Sequence, residues 1–137
     1  IRGLKPLKAL CKRLRVPNDI RDLSLQVCEY HLHCHRAFEL KANTVTKLFK
    51  SLDAYRRPQR FALFLLACEA DGRGRLGFEN KAYPQADYLL QCFNACKAVG
   101  IEDIDPELQG AAIGLALDGK RSECVSQLKG KLAPHNQ

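Results

Sequence analysis

The sequence predicts an all-α fold, an irregular bundle of six to eight helices. Apolar residues return every three or four positions through most of the 137-residue chain. Prolines and capping side chains punctuate those stretches at helix-length intervals, and no alternating apolar–polar run of useful length suggests a strand.

Leu4, Leu7, Leu10, Cys11 and Leu14 set the first stripe, with Lys5, Lys8, Lys12 and Arg15 on the other faces, so helix one is amphipathic and basic. Pro17-Asn18-Asp19 interrupts it and offers an Asn cap; Ile20, Leu23, Val27, Tyr30 or His31, and Cys34 then continue a stripe over residues 18–35. Asn43 or Thr44 can cap a third helix that buries Val45, Leu48, Phe49 and Leu52 and ends near Asp53. Pro58 suits a first helical turn, where its missing N–H costs nothing, and the apolar run Phe61 to Cys68 that follows marks a central core helix. Residues 70–77, ADGRGRLG, hold three glycines without periodicity and read as a loop. Pro84 opens a helix with Ala86, Leu89, Leu90, Phe93 and Cys96 inward and Gly100 just past its end. Asp105-Pro106-Glu107 is a start signal for a helix reaching Asp118; Gly119 separates it from a last helix carrying Cys124 or Val125, Leu128 and Leu132.

Composition narrows the function classes. With 46% hydrophobic residues and a net charge of only +7, the chain can bury a core, so wholesale disorder is excluded. The longest apolar run is eight residues, Phe61 to Cys68, against the roughly 20 that a spanning helix needs, so no membrane partner is expected. Seven cysteines without a C-x-x-C pair or framework spacing indicate free thiols in a reducing cytoplasm. The opening on Ile1, inside what already reads as a helix, and the lack of any methionine suggest a piece of a longer protein. Residues 1–60 carry 14 Lys+Arg and 5 Asp+Glu, whereas residues 61–137 carry 8 and 10, so the basic surface belongs to the first half. A pI near 9.2 and that asymmetry favour a polyanionic partner, although solvated helix faces carry Lys and Arg as well.

Few constellations carry chemistry. Arg56, Arg57 and Arg60 surround a helix start, where guanidinium forks and backbone donors both suit phosphate oxygens; Arg73 and Arg75 lie in the glycine loop. The alternative is structural, with Arg73 or Arg75 pairing to Glu69 or Asp71. Gly110 and Gly114 fall four apart on one helix face, which implies close approach of a neighbouring helix or of an RNA backbone, packing being the commoner reason. In His31-Leu32-His33-Cys34-His35, residues two apart point to nearly opposite sides and cannot close around one ion. His31 shares the stripe of Val27 and Cys34, so it is either a hydrogen-bonded core histidine or one ligand of a site built by several helices. The cysteines read as core, and no phosphate loop, nucleophile elbow or paired two-metal carboxylates occur.

The segments CKRLRVPNDIRDL (11–23), EYH (29–31), TKLFKSLDAYRRPQR (46–60), EADGRGRLGFE (69–79), YPQADYL (83–89) and LQGAAIGLAL (108–117) arrive in an order that resembles the C-terminal part of bacterial tRNA nucleotidyltransferases, the CCA-adding enzymes, in the variant with an HD-type phosphohydrolase domain. The resemblance covers essentially the whole chain. It implies a helical division into the end of the HD-type region, residues 1–55, and a tRNA-binding body and tail, residues 56–137. It implies a cytoplasmic parent enzyme that adds CCA to tRNA from CTP and ATP with Mg²⁺, its nucleotides bound by an N-terminal half outside this sequence. The chain itself is then non-catalytic and supports the tRNA, with Arg56, Arg57, Arg60, Arg73, Arg75, Gly110 and Gly114 as its expected phosphate-contacting positions. His31 matches the histidine of the family's second histidine–aspartate pair, a position implying a metal such as Ni²⁺, but Leu32 stands where the aspartate belongs. Two rival readings are a metal-dependent HD phosphohydrolase module acting on phosphoesters and a helical interaction domain with no RNA role.

Overall fold

The computed structural model describes residues 2–132. Ile1, expected within the first helix, lies outside the described residues. Six α-helices follow in order: α1 (Leu4–Arg13), α2 (Asn18–His35), α3 (Ala42–Ser51), α4 (Pro58–Arg73), α5 (Pro84–Ala98) and α6 (Ala111–Leu132). Two 3₁₀ turns, Ala37–Glu39 and Ile101–Asp103, join neighbours, and no strand occurs among the described residues. The all-α expectation therefore holds.

Helix α1 packs on α2, α2 on α4, and α3 and α5 pack on α6. The core where these layers meet is aromatic. Phe49 of α3, Phe61 of α4 and Phe93 of α5 form a triangle with centroids 4.9–5.6 Å apart, largely edge-on or tilted. Leu52, Phe64, Leu89, Tyr88 and Val125 close around it.

Two chain reversals are built alike. After α1, Val16 N–H donates to Cys11 C=O at 2.9 Å and Arg15 N–H to Lys12 C=O at 3.2 Å. After α3, Ala54 N–H donates to Phe49 C=O at 3.0 Å and Asp53 N–H to Lys50 C=O at 3.0 Å. Both are Schellman caps, which place one residue in the left-handed region and default to glycine. Here those residues are Arg15 (φ +52) and Asp53 (φ +53), at a cost on the order of 1 kcal/mol each.

Several expectations need correction. The glycine loop begins at Gly74, because Ala70–Arg73 continue α4; the Arg73–Glu69 ion pair at 3.1 Å, one helical turn apart, supports that last turn. In α5 Leu89, Phe93 and Cys96 are buried as expected and Tyr88 and Cys92 join them, while Leu90 is exposed, and Gly100 is extended rather than left-handed. Asp105 starts no helix: its carboxylate accepts Glu107 N–H at 2.9 Å and its carbonyl accepts Leu108 N–H, a local turn that competes with helix. Helix α6 begins only after Gly110, whose φ is +60, and then runs unbroken through Gly119. The flank of α6 is fastened to α3 by Lys50–Asp118 (2.5 Å) and Thr46–Ser122 (3.4 Å), and Lys129 donates to Leu40 C=O (2.9 Å). Those tertiary contacts outweigh the glycine's propensity cost of about 1 kcal/mol.

Candidate nucleic-acid interface

Asp53 organises the first basic cluster. Its left-handed backbone turns the chain from α3 toward α4, and its carboxylate Oδ2 meets Arg56 Nε at 3.1 Å, Arg57 Nε at 3.8 Å and Arg60 Nη2 at 3.9 Å. One carboxylate cannot neutralise three guanidiniums, so about two positive charges remain at the start of α4. Arg56 and Arg57 are exposed, whereas Arg60 is mostly buried and its Nε has no partner. An open groove of about 410 Å³ runs beside them, walled by Ile20, Leu23 and Leu63. All three arginines predicted from sequence thus converge on one spot.

Arg73 and Arg75 lie at the other end of α4. Arg73 is engaged within the chain: besides Glu69, its Nε donates to Lys81 C=O at 3.0 Å, as the structural alternative expected. No carboxylate among the described residues pairs with Arg75, which lines a 270 Å³ cavity with Arg73, Lys81, Phe78, His35 and Tyr83. Lys81 Nζ stands 4.8 Å over the Phe78 ring.

Gly110 and Gly114 do not share a packed helix face. Gly110 precedes α6, and a Cβ added at either residue would meet nothing within 4 Å. The expectation that a neighbouring helix presses on them is wrong. What glycine supplies at 110 is the positive φ of the turn.

His31 takes the hydrogen-bonded alternative as far as its Nδ1, which donates to Val27 C=O at 2.7 Å in its own helix, and its neighbour Leu32 is exposed. No group of three His, Cys, Asp or Glu side chains among the described residues could hold a metal ion.

A cluster that sequence reasoning missed lies beside it. His35 Nε2 meets Asp71 Oδ2 at 2.7 Å and its Nδ1 meets the Tyr83 hydroxyl at 2.7 Å, while that hydroxyl is 3.3 Å from Cys34 Sγ. Tyr83 carries one proton, so it can donate to His35 or to Cys34 but not to both. Hydrogen bonding from Cys68 pulls the Cys34 thiol below its ordinary value, against burial, and the same pairing pushes Cys68 up. Elsewhere burial pushes Cys92 up to about 11 and Cys96 up to about 12, which keeps them protonated, inert core thiols. The partners come from residues 34–35, 68–71 and 83, and no short-range pattern links them.

The chain is 46% identical over 136 residues to a multifunctional CCA protein of Hahella chejuensis, 50% over 129 residues to that of Thioalkalivibrio sulfidiphilus, and 47% over 128 residues to that of Pseudomonas syringae pv. syringae. These alignments cover 93–98% of the chain. It matches part of the multifunctional CCA proteins. The chain spans about a third of the length of those CCA proteins, 31–32% of each. No protein-family model matches the chain, and no solved structure matches it. Among the described residues no helix is long and apolar enough to cross a membrane.

Proposed function

We propose that this chain is the helical, non-catalytic part of a cytoplasmic tRNA nucleotidyltransferase that adds CCA to tRNA 3′ ends, and that it holds the tRNA. The similarity to CCA proteins over nearly the whole chain supports the parent activity. In this reading CTP, ATP and Mg²⁺ are handled by the part of the parent that the chain does not span. Residues 1–55 derive from the HD-type region and residues 56–137 form the tRNA-binding body.

The observation that carries the RNA role is the convergence of Arg56, Arg57 and Arg60 on the single carboxylate of Asp53. The surplus charge sits at a helix N-terminus, where backbone dipoles also favour a phosphate. Arg75, beyond the opposite end of α4, offers a second guanidinium to a phosphate. Gly114, with open space beyond it, leaves room for a backbone to approach.

Titration of tRNA at several salt concentrations tests the reading. Arg57→Ala should weaken binding of all tRNAs alike and lower the slope of log affinity against log salt by about one, as loss of one phosphate contact does. Arg57 is exposed, so its melting temperature should stay within about 1–2 °C of wild type. Unchanged affinity and slope with a lowered melting temperature would make the cluster purely structural.

A further inference from the structure

A second basic groove lies between α1 and α2, about 540 Å³ in volume, with Cys11, Val16 and Leu25 on its floor. Lys8, Lys12, Arg15 and Arg21 line it, with one carboxylate, Asp22. Arg21 neutralises that carboxylate through Nε (3.1 Å) and Nη2 (3.0 Å). No carboxylate among the described residues pairs with Lys8, Lys12 or Arg15, so three uncompensated cations face one concavity.

Arg15 makes this more than a solvated face. It occupies the left-handed position of the cap after α1, where glycine is the default and only Asn, Asp and His are otherwise enriched. Asp53, the other non-glycine residue in that conformation, has three arginine partners within the fold. Among the described residues no carboxylate pairs with Arg15, so no ion pair of its side chain offsets the cost of that backbone. A guanidinium kept at a position that favours glycine is a candidate for a contact outside the chain.

We propose that the α1–α2 groove seats phosphates of an RNA backbone on Lys8, Lys12 and Arg15. Three positive charges on two turns of helix and the cap match a run of phosphodiesters, and the guanidinium fork grips phosphate oxygens in pairs. The inference rests on RNA being the partner, as proposed above, and adds a contact surface on the far side of α2's first turn from the α4 cluster.

The test compares wild-type chain, Arg15→Gly, Arg15→Lys and Arg57→Ala by tRNA titration from 0.05 to 0.2 M salt, with thermal melts of each. Arg15→Gly relieves the backbone and should melt higher by about 3 °C. It should nevertheless bind tRNA roughly five- to tenfold more weakly at 0.1 M salt, with the salt slope lower by about one. Arg15→Lys keeps the charge and should keep most of the slope. A stabilised Arg15→Gly with wild-type affinity and slope, alongside a weakened Arg57→Ala, overturns this groove and leaves the RNA role standing. An Arg15→Gly that melts lower overturns it too, because Arg15 is then structural. Failure of the wild-type chain to bind tRNA at all overturns both.

Discussion

At the scale of single residues, Gly72 shows how one absent methyl group holds a polar cluster together. A Cβ at 72 would lie 3.1 and 3.3 Å from Tyr83 ring carbons and 3.5 Å from His35 Cε1. Tyr83 has little freedom to yield, since its hydroxyl is held 2.7 Å from His35 Nδ1 and 3.3 Å from Cys34 Sγ. Gly72→Ala should therefore be neutral or destabilise by up to about 2 kcal/mol, overpacking offsetting the gain in helix propensity. In a Tyr83→Ala background the same change should stabilise by roughly 0.5–1 kcal/mol. Denaturant melts of the four proteins check the sign reversal; stabilisation in both backgrounds would show that the ring contact does not constrain Gly72.

At the scale of elements, α6 is the instructive case. It is 22 residues long and contains Gly114, Gly119 and Gly130, none of which has a neighbour within 4 Å of a built Cβ. Tertiary fastening to α3 keeps it continuous past positions that local propensity would use as breaks. Gly114→Ala should then stabilise the chain by about 0.5–1 kcal/mol, since alanine loses less backbone entropy and clashes with nothing. Thermal melting tests it, and a loss of stability would mean that an undetected contact presses on that face. Gly110 differs: its φ of +60 makes any side chain there unfavourable whatever the space.

At the scale of the whole molecule, the core runs across the proposed division at residue 55. A single hydrophobic cluster takes Val45, Leu48, Phe49, Leu52 and Ala54 from one side and Phe61, Phe64, Leu89, Phe93 and Val125 from the other. Separated pieces 1–55 and 56–137 would each expose half of that core. Neither should unfold cooperatively alone, and mixing them should restore helix content measured by circular dichroism. A cooperative melt of 56–137 by itself would show that the body is an independent unit.

The sequence alone determined what depends on neighbours along the chain. Residues 18–35 form the helix that their stripe predicts, although Pro17 and not Asn18 holds the cap position; Pro58 and Pro84 stand at helix starts, and Val45, Leu48, Phe49 and Leu52 are buried. Helical periodicity and proline's fixed φ act within a turn or two, so they are legible from residue order. The clustering of Arg56, Arg57 and Arg60 was legible for the same reason, being confined to five positions. Only the tertiary structure decided where propensity gives way and which distant groups meet. Gly119 continues a helix because α3 lies against it, and Asp105 fails to begin one because its own carboxylate closes a turn. His35, Asp71, Tyr83 and Cys34 share hydrogen bonds across 49 residues of chain. Free energies of the order of 1 kcal/mol separate these outcomes, and long-range contacts that no local pattern encodes are enough to reverse them.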